Sequence, residues 1–222
     1  MKGKTINLTL DGKLLQAEEG TTILQAARQY GIHIPTICYL ESLSPYGGCR
    51  ICIVEIGRGN GDTSLDTSCT REVQEGMEVQ TQSPRVVRTR KMIAELLVAS
   101  APNVKVAQDI AARVGLMKVR FPMDDNRCIL CGLCIRMCYE QMDGKALGFA
   151  GRGTGRWVTM PFQERPETCR LCRGCEYVCP GTMVPCEGIK KPGELCGRCR
   201  PVEEYRCCPN STFGCFCEKN PL

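Results

Sequence analysis

Nineteen of the 222 residues are Cys, and their spacing decides what chemistry the chain can perform. Four lie between residues 38 and 69, eight between 128 and 179, and seven between 186 and 217. The start, Met1-Lys2-Gly3-Lys4-Thr5-Ile6-Asn7-Leu8-Thr9-Leu10, lacks the apolar core of a signal peptide. That predicts a cytoplasmic location, where the reducing environment makes disulfides rare. The odd count also forbids complete internal pairing, so metal ligation is the main use left for these thiols. The first set reads Cys38-x10-Cys49-x2-Cys52-x16-Cys69, with Gly47 and Gly48 just ahead of the central pair. Glycines there let backbone amides close on cluster sulfides, which a Cβ would obstruct. The second set is Cys128-x2-Cys131-x2-Cys134-x3-Cys138, and the third repeats it as Cys169-x2-Cys172-x2-Cys175-x3-Cys179 followed by Pro180.

The first set is related to the plant-type [2Fe–2S] spacing, with a first gap of ten residues where that pattern has four. Zinc also accepts four thiolates, but the β-β-α pattern ahead of Cys38 favours [2Fe–2S]. The two complete runs form the bacterial two-cluster ferredoxin signature, in which the fourth Cys of each run ligates the other run's cluster. One [4Fe–4S] cluster is therefore assigned to Cys128, Cys131, Cys134 and Cys179, and the other to Cys169, Cys172, Cys175 and Cys138. One departure is Tyr139, where that signature has Pro. The last block, Cys186, Cys196, Cys199, Cys207, Cys208, Cys215 and Cys217, has few apolar neighbours to build a core. It is read as a further metal site, [2Fe–2S], [4Fe–4S] or zinc, against the alternative of a tail that folds on a partner.

Several elements must hold these ligands. Thr5–Leu10 and Lys13–Ala17 alternate as strands about the turn dipeptide Asp11-Gly12. Thr21 or Thr22 caps a helix over Ile23–Tyr30, closed by Gly31. Ile53–Ile56 and Met77–Thr81 are further strands, with a loop over Gly57–Asp62. Ser83-Pro84 opens a helix running to Ser100, with Val86, Val87, Met92, Ile93, Leu96 and Leu97 at helical spacing. Arg85, Arg88, Arg90 and Lys91 are expected to form its solvated side. Lys105–Val114 is a second helix, ended by Gly115. The Gly-rich stretch Gly148–Gly155 has no Gly-Lys-Ser/Thr and no strand–helix frame, so a connecting hairpin is expected instead of a phosphate loop.

Composition excludes other classes. Hydrophobic residues make up 43% and charged residues 24%, unlike a disordered tail protein. No apolar run reaches the roughly 20 residues that span a bilayer. The formal charge is +5, yet three clusters at about −2 each would bring the loaded protein to about −1. No basic stripe with interleaved aromatics calls for nucleic acid. No nucleophile, paired general base, flavin or nucleotide motif is present, so no catalytic residue is expected in this chain.

Residues 1 to about 185 resemble the amino-terminal part of the large iron–sulfur subunit of respiratory complex I. The same module occurs as the small diaphorase subunit of NAD-linked hydrogenases and formate dehydrogenases. The resemblance rests on the twelve Cys of the first three sets and on Arg90-Lys-Met-Ile-Ala-Glu-Leu-Leu-Val-Ala-Ser. It implies an α+β chain in four parts. Residues 1–82 would be a β-grasp, plant-type [2Fe–2S] ferredoxin domain, and 83–122 a helical connector. Residues 123–185 would be a two-[4Fe–4S] ferredoxin domain, and 186–222 the Cys-rich tail. The family usually carries another [4Fe–4S] cluster in the connector, held by His-x3-Cys-x2-Cys-x5-Cys. Those slots fall here at Ser100, Val104, Ala107 and Arg113, none of which can ligate iron, and the single His, His33, lies far upstream. The implied function is electron transfer between a flavin and NAD(H) subunit and a second redox subunit, with electron bifurcation left open. The alternative is the iron–sulfur subunit of a succinate dehydrogenase or fumarate reductase, against which the ten-residue gap and the two complete runs argue.

Overall fold

The turn Asp11-Gly12 carries φ of 49° and 79°, the paired left-handed conformation that joins two strands by the tightest hairpin. It links β1 (Thr5–Leu10) to β2 (Lys13–Glu18), which pair antiparallel from Thr5 opposite Glu18 to Leu10 opposite Lys13. The structure is a computed structural model and describes residues 4–57, 61–124 and 126–181. The tail site expected at Cys186–Cys217 lies outside them. The chain divides into two units, Met1–Gly132 and Leu133–Leu222.

In the first unit, β1 runs parallel to β5 (Met77–Gln80). Beside β5, antiparallel, lies β3 (Ile53–Gly57), and beside β3 lies β4 (Thr63–Thr67), giving the order β2-β1-β5-β3-β4. Strand β4 goes beyond the sequence expectation, because Thr-Ser-Leu-Asp-Thr offers a single large apolar residue to an alternation pattern. Helix α1 (Ile23–Gln29) is capped reciprocally: Gln25 N–H donates to Thr22 Oγ1 at 3.3 Å, and Thr22 N–H donates to Gln25 Oε1 at 2.9 Å. Its Ile23, Leu24, Ala26 and Ala27 join Leu8, Leu10, Val54 and Val79 in the core. Each fully buried Leu, Ile or Val contributes about 1.5–3 kcal/mol. The sheet and helices make this unit α+β, as expected.

Helix α2 (Pro84–Ser100) starts as the Ser-Pro pair predicts, with Val86 N–H donating to Ser83 Oγ at 3.2 Å. Its buried side differs from the expected one. The buried residues are Val86, Arg90, Ala94, Glu95 and Ala99, while Val87, Met92 and Leu96 are exposed. Small side chains at positions 94 and 99 permit close packing, and that outweighs the larger apolar residues. Arg90 therefore corrects the expectation of a solvated cation, being only 3% exposed. Helix α3 (Lys105–Arg113) packs on α2. The strap that follows is pinned back to α2 by Glu95, which accepts from Arg120 Nη2 at 2.7 Å and from its backbone N–H at 2.7 Å, and by Asp124 N–H donating to the Ala99 carbonyl at 2.8 Å.

In the second unit, α4 (Leu133–Arg136) runs into a π-helical turn, Met137–Gln141. The Gly-rich stretch forms the expected hairpin, β6 (Gly148–Ala150) against β7 (Trp157–Thr159). A short helix α5 (Gly174–Tyr177) lies within the third Cys run and carries Cys175. Among the described residues no helix is long and apolar enough to cross a membrane.

Candidate iron–sulfur sites

Cys38 and Cys49 lie in the loop after α1, Cys52 immediately precedes β3 and Cys69 follows β4, and all four are buried. They form two pairs. Cys49 N–H points at Cys38 Sγ at 3.5 Å, and the Cys52 and Cys69 sulfurs lie 3.4 Å apart. Two thiolates on one tetrahedral metal with bonds near 2.3 Å stand about 3.8 Å apart, close to the Cys52–Cys69 separation, and the Cys49 side chain is likewise hydrogen-bonded to Cys38. Two paired metals bridged by sulfide match this arrangement.

The electrostatics agree with the pairing. The hydrogen bond with Cys69 lowers Cys52 to about 7, while the same bond, together with burial, pushes Cys69 up. Cys49 is raised by its hydrogen bond with Cys38 and by burial. Four buried thiols cannot all ionise unless a cation takes the charge, and bound metal supplies it. Gly47 has φ +67°, and a Cβ there would stand 3.2 Å from Thr70 Cγ2 and 3.3 Å from Thr67 Oγ1. A Cβ on Gly48 would collide with the Tyr46 ring. At Gly47 the left-handed backbone favours glycine, and at both positions a Cβ would press on neighbouring side chains of the ligand loop.

In the second unit, Cys138, Cys169, Cys172 and Cys175 line one cavity with Gly144, Ala146, Leu147 and Met160. This is the set assigned from sequence with the fourth Cys crossing between runs. Cys138 sits in the π-helical turn, where Ala146 N–H donates to its Sγ at 3.4 Å. Cys175, in α5, is pushed up to about 12 by burial, then by the charges of Glu176 and Cys138. Of the other set, Cys128 and Cys131 belong to the first unit and Cys134 and Cys179 to the second. Cys131 and Cys134 are buried.

Both runs share a backbone signature that the sequence does not reveal. Leu130 (φ 53°) precedes Cys131 and Gly132 (φ 70°) follows it. In the later run Leu171 (φ 53°) precedes Cys172 and Arg173 (φ 58°) follows it. Arg50, between Cys49 and Cys52, has φ 60°. Left-handed residues turn successive amides to one side and make concavities that receive anions, including iron–sulfur groups. A non-Gly residue such as Leu occupies that region at a cost, which marks these loops as held for a purpose. These observations fit the residues to iron–sulfur clusters.

The degenerate connector slots are filled by packing. Val104 and Ala107 are buried beside Ala101 and Ile110, Arg113 is exposed, and the Ser100 hydroxyl donates to the Leu97 carbonyl at 3.1 Å. His33 is exposed.

Residues 3–84 match the 2Fe-2S iron-sulfur cluster binding domain family. One NADH-quinone oxidoreductase component of Rhizobium meliloti is 32% identical over 240 residues, spanning 95% of this chain and 27% of that protein, so the chain covers roughly a quarter of this larger relative. The gamma subunit of the NAD-reducing hydrogenase HoxS of Cupriavidus necator is 30% identical over 168 residues, 64% of this chain and 70% of that protein. A crystal structure of NAD+-reducing [NiFe]-hydrogenase in the H2-reduced state contains a chain with TM-score 0.62 and 29% identity, matched over 70% of this chain and 74% of that one. With the 2Fe–2S domain, the ligand pairs and the coverage of the HoxS relative in hand, the chain belongs to the family of iron–sulfur proteins that joins the HoxS gamma subunit to the amino-terminal part of the complex I large iron–sulfur subunit.

Proposed function

We propose that this chain is the electron-transfer iron–sulfur subunit of a multisubunit NAD-linked oxidoreductase. It would link a flavin and NAD(H) subunit to a second redox subunit of the hydrogenase or formate dehydrogenase kind, in the reducing cytoplasm. The observation that carries this reading is the gathering of Cys138 with Cys169, Cys172 and Cys175 around one cavity, in a chain whose other unit holds two buried thiol pairs. Bound there, the clusters supply one-electron carriers.

The chain's own residues hold and insulate them. Cys38 with Cys49 would bind one iron of a [2Fe–2S] group and Cys52 with Cys69 the other. Cys138, Cys169, Cys172 and Cys175 would hold one [4Fe–4S] group, and Cys128, Cys131, Cys134 and Cys179 the second. Burial of Cys38, Cys49, Cys52 and Cys69 would exclude water from the first site, and the left-handed ligand loops would offer amides to the sulfides, the means by which proteins set cluster potentials. Filling of the connector slots by Val104 and Ala107 leaves an electron route with one station fewer than the usual family pattern. The succinate dehydrogenase alternative gains no support, since the relatives that span most of the chain are subunits of pyridine-nucleotide enzymes.

The anaerobically purified chain is expected to be brown, to be reduced by dithionite, and to leave NADH unoxidised. Steady NADH turnover by the pure chain would refute the proposal. The crossing of ligands has its own test. Cys138→Ser should remove the same EPR signal as Cys172→Ser, and Cys179→Ser the same signal as Cys131→Ser. Loss of the Cys131-dependent signal in Cys138→Ser would mean that each run holds its own cluster.

A further inference from the structure

Arg90 carries its charge on the buried side of α2. It is buried, its Nη2 donates to the Ile53 carbonyl at 2.7 Å, and its Nε finds no hydrogen-bond partner among the described residues. No carboxylate among them forms an ion pair with it. Burying an unpaired cation is strongly unfavourable unless a counter-charge faces it. Burial lowers the proton affinity of Arg90, and the Cys52 sulfur and the Asp11 carboxylate are the negative groups that act against that lowering. Asp11 is already engaged, accepting from Thr81 N–H at 2.7 Å and from the Thr81 hydroxyl at 2.6 Å. Cys52 is a ligand of the first site, and Ile53, whose carbonyl Arg90 holds, is the next residue in β3.

We propose that Arg90 is the buried counter-charge of the [2Fe–2S] centre, stabilising the negative cluster and making it easier to reduce. The inference rests on the assignment of Cys38, Cys49, Cys52 and Cys69 as cluster ligands. An oxidised cluster with four thiolates carries about −2 and gains a further negative charge on accepting one electron. A fixed guanidinium at low dielectric therefore favours the reduced form. Its electron would come from a low-potential one-electron donor, the reduced flavin of the partner subunit in the cell and dithionite in the test. Arg suits the task because it stays charged when buried and is more weakly hydrated than an ammonium.

The test is a redox titration of the full chain, purified anaerobically, following the slowly relaxing EPR signal of the reduced [2Fe–2S] centre, with visible circular dichroism reporting cluster integrity. Arg90→Met keeps an apolar stem without charge, and Arg90→Lys keeps charge without the planar fork. Arg90→Met should disfavour one-electron reduction about tenfold, a fall in midpoint potential of about 59 mV. Arg90→Lys should return most of that shift. A chain that loads the [2Fe–2S] centre with Lys but not with Met also supports the counter-charge role. Equal potentials in wild type, Met and Lys overturn it, and so does failure of both variants to load, which would make Arg90 a packing residue. If the wild-type chain itself gives no [2Fe–2S] signal, the ligand assignment fails and not the reading of Arg90.

Discussion

At the scale of single residues, the ligand shells leave little room for substitution. A Cβ on Gly144 would stand 3.0 Å from Cys138 Sγ and 3.5 Å from the Thr168 carbonyl. Gly144→Ala should therefore displace Cys138 and cost up to four irons per chain, read by iron analysis and by loss of one [4Fe–4S] signal. Gly148→Ala, with nothing within 4 Å of its Cβ, serves as the silent control, and full iron content in Gly144→Ala would contradict the steric argument. Glu95 gives a pH prediction. Hydrogen bonds from Arg120 hold its carboxyl down at about 2 from an ordinary 4.5. A depressed folded-state value means the pair stabilises the fold above the ordinary value and loses that contribution as pH falls toward 2. Glu95→Gln should thus melt below wild type by the same margin at pH 8 and pH 6. A margin that closes between those values would contradict the assignment.

At the scale of elements, α2 acts as a splint. Its amino-terminal half is fixed to the sheet through Ser83 and Arg85 on Glu55 and through Arg90 on Ile53. Its carboxyl-terminal half holds the strap leading to Cys128 through Glu95 and Ala99. The Ser83 hydroxyl both caps the helix and donates to Glu55. Ser83→Ala should then cost about 1–2 kcal/mol, measured by denaturant unfolding of the full chain, with the [2Fe–2S] spectrum retained. An unchanged midpoint would show that Pro84 alone defines the helix start. The hairpin, α1, the Ser-Pro start and the β6–β7 connection are all legible in the residues, because turn dipeptides, caps and breakers act locally. Strand β4 is not, because its pairing with β3 comes from register across the sheet (Ile53 opposite Thr67, Ile56 opposite Ser64) and not from its own alternation.

At the scale of the whole molecule, the excess of positive charge, +5 in formal count, reads as compensation for cluster charge. Three clusters predict iron near ten atoms per chain. A tail site at Cys186–Cys217 predicts more metal than that, as iron or as zinc. Total metal analysis by mass spectrometry decides it, and ten irons with no zinc would leave the tail without metal.

The identities and order of the thiols were determined by sequence, since their count and spacing are covalent facts that no packing alters. The repeated Cys spacing and the two-cluster signature supplied the expectation that Cys138 joins Cys169, Cys172 and Cys175, and these four residues line one cavity. Only the tertiary structure decided that the four amino-terminal thiols stand as two pairs and that both later Cys runs bend through left-handed residues. It alone put Arg90 inside and Met92 outside. Burial depends on which face of α2 packs against the rest of its unit, and that face carries Ala94 and Ala99 where hydrophobic periodicity pointed to Met92 and Leu96.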